Sequence, residues 1–215
     1  MTISEENYIK VIYHLSHVSP KGVNTNAIAG MLETKASSVT DMLKKLSDKE
    51  LVAYQKYQGV SLTNKGFHAA KMIVRKHRLW EVFLVEKLDF SWDEVHEIAE
   101  ELEHIKSETL INRLDQFLGF PECDPHGDPI PNEKGEIKKI NKLLLSEVAL
   151  NKEYLCIGVK NSSSDFLQYL NKQNIALGAT FIVKERENYD DTLTVEVNSK
   201  MMTMSNKTAN NLYVQ

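Results

Sequence analysis

Six histidine and glutamate residues in the middle of the chain have the chemistry and spacing of metal ligands. They are His77, Glu81, His96, Glu100, Glu103 and His104. Spacings of three and four residues place side chains on one face of a helix, so the last four follow a single stripe and the first two form a separate pair. Imidazole nitrogen and carboxylate oxygen suit manganese, ferrous iron, cobalt or zinc. The pattern predicts a divalent metal site, against the alternative of a solvated acidic helix.

The composition is ordinary for a globular protein, but the charge is unevenly distributed. Of the 215 residues, 42% are hydrophobic and 26% are charged. Residues 1–78 carry 12 Lys and Arg against 6 Asp and Glu, whereas residues 79–130 carry 3 against 14. A basic block predicts a polyanionic partner, and an acidic block predicts bound cations. Without a signal peptide or membrane-span pattern, and with only Cys123 and Cys156, we expect a cytoplasmic protein with no membrane partner and no disulfide framework.

The N-terminal region has the pattern of a winged helix-turn-helix. Apolar periodicity predicts helices over 4–16, 26–32 and 36–49, followed by strands over 51–57 and 60–63. Two short helices joined by a tight turn, with a polar second helix, favour DNA binding over a plain helical domain with a hairpin. The expected DNA-contacting residues are Thr25, Lys35, Ser37, Ser38, Thr40, Lys44 and Tyr57. The serines and Thr40 are expected at base edges and phosphates, and the lysines and Tyr57 at phosphates.

The remaining chain divides into a helical part, a linker and a part made of short strands. Long helices are predicted over 64–88, 92–105 and 107–118, and the first has more apolar surface than one neighbour can cover, which favours dimerisation. Prolines and glycines mark residues 121–146 as a linker. The predicted domains are 1–66, 67–120 and 147–215, separated by that linker. The predicted fold class is mainly α with small β parts, ending in a small β-barrel.

Five short strings, together with the order of domains, carry a resemblance to a known family. The strings are Tyr8-Ile9-x2-Ile12-Tyr13, Ser37-Ser38-Val39-Thr40, Leu62-Thr63-x2-Gly66, His77-Arg78-Leu79 and Glu103-His104. The chain resembles the diphtheria-toxin-repressor family of metal-dependent transcriptional repressors, which includes the manganese-transport regulators. The resemblance covers nearly the whole chain and implies that the C-terminal part is the SH3-like domain of the longer members.

The resemblance implies a primary metal site that joins the first helix to the later cluster. Its ligands would be Asn7, Glu100, Glu103 and His104. Manganese-type members have Asp at the first-helix position, and iron-type members usually have Met. Asparagine offers a neutral carbonyl oxygen, which suits a hard cation. Some manganese-type members place a second Glu where this chain has Lys10, so the resemblance implies a site without a paired second metal.

An ancillary metal site is also implied, in one of two versions. In the first, His77, Glu81 and His96 bind the metal. In the second, which some longer members use, Glu81 is joined by Cys123 and His126 of the linker and by an acidic residue of the barrel, here Asp165. Both versions remain open from the sequence.

The predicted function is a metal-dependent repressor that binds palindromic double-stranded operator DNA as a homodimer and controls genes of metal homeostasis and uptake. Manganese(II) is the favoured metal and iron(II) the second choice, while cobalt, zinc or cadmium could bind in vitro. The alternatives are a di-metal carboxylate enzyme, because Glu101-x2-His104 fits one element of di-iron bundles, and a metal-independent winged-helix protein. We expect no enzymatic activity, because the sequence lacks a nucleophile triad, phosphate loop or dinucleotide fingerprint.

Overall fold

The computed structural model describes residues 1–19, 22–55 and 59–215. Contacts within the chain define two compact units. The first comprises residues 1–77, 100–109 and 131–136, and the second comprises residues 78–99, 110–130 and 137–215. The predicted domain boundaries at residues 66, 120 and 146 stay predictions.

The first unit contains the winged helix-turn-helix. Its elements are α1 (Ile3–Val18), α2 (Thr25–Met31), α3 (Ala36–Asp48), the antiparallel strands β1 (Val52–Gln55) and β2 (Gly59–Leu62), and the first half of α4 (Asn64–Leu88). Helix α3 buries Val39, Leu43 and Leu46 completely, because their spacing of four and three places them on one face. The opposite face of α3 is polar and largely exposed, as the sequence predicted.

A threonine and a glycine fix the start of α4 behind the wing. The Thr63 hydroxyl accepts a hydrogen bond from the Gly66 N–H at 3.0 Å and so caps the helix. A Cβ atom on Gly66 would lie only 1.9 Å from the Leu51 carbonyl oxygen, so no other residue fits without moving the backbone. The Thr63-x2-Gly66 string therefore reflects close packing of α4 against Leu51, in the turn between α3 and β1.

Helix α5 (Val95–Leu102) is shorter than the predicted 92–105, and α6 (Glu108–Phe117) follows it. The Ser91 hydroxyl and N–H both bind Glu94 Oε2, and this local turn replaces the first predicted turn of α5. Because the helix ends at Leu102, Glu103 and His104 lie in the turn after it. The predicted helix bounds of 92–105 are therefore wrong at both ends, while Glu100 and Glu103 still lie on one side, because both contact Lys10.

The C-terminal part of the second unit is a six-stranded antiparallel sheet in the order β3-β8-β4-β5-β6-β7. The strands are β3 (Leu143–Leu144), β4 (Glu153–Val159), β5 (Thr180–Arg186), β6 (Leu193–Val197), β7 (Lys200–Met204) and β8 (Leu212–Val214). Helices α7 (Ser164–Lys172) and α8 (Asn206–Ala209) and a 3-10 turn over Leu145–Glu147 connect them. Phe181, Val195 and Leu212 are completely buried in its core. Among the helices of the described ranges, none is both long and apolar enough to cross a membrane.

Candidate metal centre

Glu103 is the centre of a buried polar cluster in the first unit. Its side chain is completely buried, and both carboxylate oxygens contact the ammonium of Lys10, Oε1 at 2.7 Å and Oε2 at 2.8 Å. The imidazole of His77 donates from Nδ1 to Oε2 at 2.7 Å. Burial alone would raise the pKa of Glu103, but the His77 hydrogen bond and the Lys10 charge outweigh it and lower that pKa. Glu103 is therefore ionised at neutral pH.

Glu100 and His104 extend this cluster on either side of Glu103. Glu100 is half exposed, and its Oε1 lies 3.0 Å from Lys10 Nζ. His104 is largely buried, and its Nδ1 lies 2.7 Å from Oε2 of Glu6 on α1. In the neutral tautomer with the proton on Nδ1, this nitrogen donates a hydrogen bond to the Glu6 carboxylate, and Nε2 of His104 carries the lone pair. Histidine ligands of metals are commonly oriented by such a carboxylate.

Helix α1 supplies Glu6 and Lys10 to the cluster. Neither residue was among the predicted ligands. The predicted ligand Asn7 lies between them on α1 and is half-buried. Glu6 and Lys10 are four positions apart, so they lie on one face of α1, and both are buried. The sequence did offer one signal for Glu6. A charged residue beside the apolar positions of a helix is a candidate for a buried polar contact.

A second group of potential ligands lies in the second unit. Ligand atoms of Glu81, Asp124 and His126 all lie within 4.8 Å of one another, and all three residues are buried. Glu81 Oε1 is 3.6 Å from Nδ1 of His126 and 3.7 Å from Nδ1 of the exposed His96. Two carboxylates and an imidazole in one buried place form a donor set for a divalent cation.

The electrostatics of this second group also favour a cation. Burial and the nearby charge of Glu81 raise the pKa of Asp124 to about 6, although Arg78 opposes this with its Nε 3.2 Å from Oδ2. Burial lowers the pKa of His126, but Glu81 and Asp124 outweigh it and raise that pKa to about 9. Without a metal, a proton on His126 thus balances the buried carboxylates. A metal ion would take over that balancing charge.

A tight turn over residues 124–128 holds these ligands in place. Asp124 Oδ1 accepts the backbone N–H groups of His126 at 2.8 Å and Asp128 at 3.0 Å. Nε2 of His126 donates to the Trp92 carbonyl at 2.7 Å, so Nδ1 is the nitrogen turned to Glu81. This backbone partner fixes the imidazole as in many metal sites.

The same turn packs directly on strand β4. A Cβ atom on Gly127 would lie 2.0 Å from the Ile157 carbonyl oxygen and 2.4 Å from Cα of Gly158. The Val159 N–H donates to the His126 carbonyl at 2.9 Å. Gly127 also has φ +83°, a conformation that favours glycine. The ligand-bearing turn is therefore held to the sheet by backbone contacts.

The predicted ancillary residues are placed as follows. His126 and Glu81 come together, and Asp124 joins them, a residue that the sequence reasoning missed. Among the described residues, Cys123 and Asp165 belong to no group of three close ligands; Cys123 is half-buried and Asp165 is exposed. His77 is hydrogen-bonded to Glu103, and the version of the ancillary site formed by His77, Glu81 and His96 stays a prediction.

Six of the seven predicted DNA contacts lie in the described helix-turn-helix. Lys35, Ser37, Ser38 and Lys44 are exposed on or just before α3, and Thr25 and Thr40 are half-buried. The Thr40 hydroxyl bonds the Ala36 carbonyl at 3.0 Å. Tyr57 lies outside the described residues. Their use by DNA stays a prediction.

Three family models match consecutive parts of the chain. Residues 1–60 match the family described as iron dependent repressor, N-terminal DNA binding domain, residues 63–132 match its metal binding and dimerisation domain, and residues 143–215 match the FeoA domain. The transcriptional regulator MntR of Oceanobacillus iheyensis is 35% identical over 124 residues, which cover 57% of this chain and 82% of that protein.

A solved manganese-dependent transcriptional repressor in complex with manganese is 32% identical, with a TM-score of 0.83 and 98% of each chain covered. A probable metal transport system membrane protein of Chlamydia trachomatis is 48% identical over 86 residues. That match covers 40% of this chain but only 19% of the Chlamydia protein. This chain belongs to the family of metal-dependent transcriptional repressors. The predicted fold class and family are confirmed.

Proposed function

We propose that the chain represses transcription by binding operator DNA as a homodimer when it carries manganese(II), and that it controls genes of metal uptake. The observation that carries the proposal is the cluster of Glu100, Glu103 and His104 in direct contact with helix α1 of the DNA-binding domain. A divalent metal held there, with Asn7 as the ligand from α1, would supply a positive charge that binds α1 and the later turn together.

The coupling of metal to DNA follows from this position. Metal binding favours the state in which α1 is fixed on the cluster, and it can shift the equilibrium only by its preference for that state. Two helix-turn-helix units at a fixed spacing can read half-sites about one helical turn apart, or a multiple of it. We therefore expect a palindromic operator.

A homodimer is supported by apolar side chains in the region that matches the dimerisation domain. Leu88, Phe117 and Phe120 are each more than half exposed. Phe117 also lies beside Phe83, with ring centroids 6.4 Å apart. Exposed apolar groups of this size are typical of interaction surfaces, and a second copy of the chain is the proposed occupant.

The donor types support manganese(II), with iron(II) as the second choice. The proposed primary ligands are oxygens and one imidazole, and Asp124 rather than a sulfur of Cys123 joins Glu81 and His126 in the proposed ancillary site. Oxygen and imidazole donors without sulfur suit the harder divalent ions. Intrinsic affinity rises along the divalent series, so zinc or cobalt is expected to bind more tightly in vitro, and availability would select manganese in the cell.

The decisive experiment measures operator affinity of the chelator-treated protein during parallel titrations with manganese(II) and, anaerobically, iron(II). We expect manganese to strengthen operator binding. Unchanged affinity with both metals would contradict the proposed function. Activation by iron alone at cellular concentrations would contradict only the choice of manganese.

A further inference from the structure

The ammonium of Lys10 lies among the carboxylates that are proposed to bind the primary metal. Its Nζ contacts three oxygens, the two of Glu103 at 2.7 and 2.8 Å and Oε1 of Glu100 at 3.0 Å. The Lys10 side chain is 11% exposed and that of Glu103 is 0% exposed. The Lys10 ammonium thus occupies the carboxylate oxygens that a metal ion would need as ligands.

A buried carboxylate is costly without a positive partner, so Lys10 stabilises the metal-free protein. The same contacts oppose metal binding, because an ammonium and a divalent ion drawn to the same oxygens repel each other. We propose that Lys10 is a displaceable counter-ion, which competes with the divalent metal for Glu100 and Glu103 and so sets the metal concentration at which the primary site fills. This inference rests on the proposed function.

The proposal makes two opposite predictions for one substitution. Removing the charge of Lys10 should destabilise the metal-free protein, because Glu103 is left buried with less compensation. It should also tighten metal binding, because no internal cation has to leave. A lysine that only supports packing would give the first effect without the second.

Lys76 provides a matched control for ordinary electrostatic repulsion. Its side chain is 14% exposed, and its charge is felt by Glu103, but its closest carboxylate contact is Glu6 Oε2 at 3.9 Å. The Lys76→Gln variant therefore removes the same charge near the cluster and leaves the contacts of Lys10 in place. If Lys10→Gln gains more manganese affinity than Lys76→Gln does, the excess measures the displacement of the Lys10 ammonium by the metal.

The test uses the full chain, stripped of metal, as wild type and as Lys10→Gln, Lys10→Arg and Lys76→Gln. Manganese(II) affinity is measured by competition with a fluorescent chelator, and thermal unfolding is followed without and with manganese. We expect Lys10→Gln to melt earlier without metal and to bind manganese about tenfold more tightly, the scale of one charged hydrogen bond. Lys10→Arg keeps a cation and should show no gain.

Unchanged or weaker manganese affinity in Lys10→Gln, or an equal gain in Lys76→Gln, would overturn the proposal. If Lys10→Gln does not fold without metal, it is prepared with manganese bound, and the rate of manganese loss to excess chelator is compared with that of the wild type. Slower loss supports displacement, because no lysine competes for the oxygens, and equal or faster loss overturns the proposal. A wild-type protein that binds no manganese would refute the proposed function instead, so the two failures are distinguishable.

Discussion

Glu6 on α1 and His104 after α5 form a direct hydrogen bond of 2.7 Å between a carboxylate oxygen and Nδ1. Both side chains are largely buried, at 8% and 12% exposure. The bond links α1, a helix of the region that matches the DNA-binding domain, to a proposed metal ligand, and with the proton on Nδ1 it leaves Nε2 for the metal. We therefore expect Glu6 to affect metal binding by positioning His104.

Replacing Glu6 with Gln should weaken manganese binding about ten- to hundredfold, the usual cost of losing an orienting carboxylate. Nitrogen NMR shifts of the His104 ring should show a changed Nδ1 and Nε2 proton distribution. Glu5→Gln is the matched control, because Glu5 is equally buried on α1 but bonds Lys49 at 2.6 Å. Equal losses in the two variants would mean that Glu6 matters only for folding.

Asp124→Asn should lower the amount of manganese bound at saturation, because the ancillary group loses one of its two carboxylate charges. The asparagine oxygen can still accept the backbone bonds of the 124–128 turn, so the fold should survive. Cys123→Ser is the neighbouring control and should leave the bound metal unchanged. Direct metal analysis after gel filtration checks both variants. The reverse result would return the site to Cys123.

Lys44→Ala should weaken binding to operator and to random DNA alike, because an exposed lysine on α3 contacts phosphates rather than bases. The salt dependence of binding should fall by about one unit of slope. Lys172→Ala, an exposed lysine on α7, should change neither quantity. Fluorescence anisotropy over a range of salt concentrations gives both values. Loss confined to one base pair of the operator would instead assign Lys44 to base reading.

Gly66→Ala should strongly destabilise the first unit, because the new methyl group would lie 1.9 Å from the Leu51 carbonyl oxygen. Gly30→Ala is the matched change, since a Cβ atom on Gly30 of α2 meets nothing within 4 Å. That second variant should gain about 0.5–1 kcal/mol, because alanine favours helix and loses less chain entropy. Urea unfolding of the metal-free protein measures both free energies of unfolding. Similar stability of the two variants would contradict the packing of α4 described above.

Phe117→Asp should weaken the homodimer, because it places a charge in the proposed apolar contact. Tyr189→Asp changes an aromatic residue that is 94% exposed in the sheet region, and it should leave the dimer intact. Sedimentation over a range of protein concentrations reports the monomer–dimer equilibrium. An unaltered dimer of the Phe117 variant would place the interface elsewhere.

The sequence predicted the elements whose pattern is local. The spacing of Val39, Leu43 and Leu46 indicated α3. Four of the six histidine and glutamate residues, His77, Glu100, Glu103 and His104, lie in one polar cluster, and their use as metal ligands stays a prediction. The sequence did not predict that Glu6 and Lys10 turn inward to His104 and Glu103. Such pairing depends on how α1 packs on a turn some ninety residues away, and helix periodicity carries no information on that partner.

Asp124 was missed for the same reason. Cysteine has a conspicuous metal chemistry, so the Cys123-x2-His126 spacing drew attention to Cys123 rather than to Asp124, whose carboxylate lies with Glu81 and His126. The turn over residues 124–128 directs the Asp124 carboxylate inward, where it accepts two backbone N–H groups. A turn conformation of this kind depends on Gly127 and on the strand beneath it, neither of which a ligand pattern includes.

Because Gly127 packs on Gly158, the geometry of the group formed by Glu81, Asp124 and His126 depends on a sheet that contributes none of these three residues. A small side chain introduced at Gly158 would meet the His126 carbonyl oxygen at 3.0 Å and push the turn outward. A substitution in the sheet would then change metal binding even though the three proposed ligands are unchanged in the sequence. Screens for variants that no longer respond to metal should accordingly recover substitutions on β4, and truncation of the chain before that strand would remove the backbone contacts that hold the turn from below.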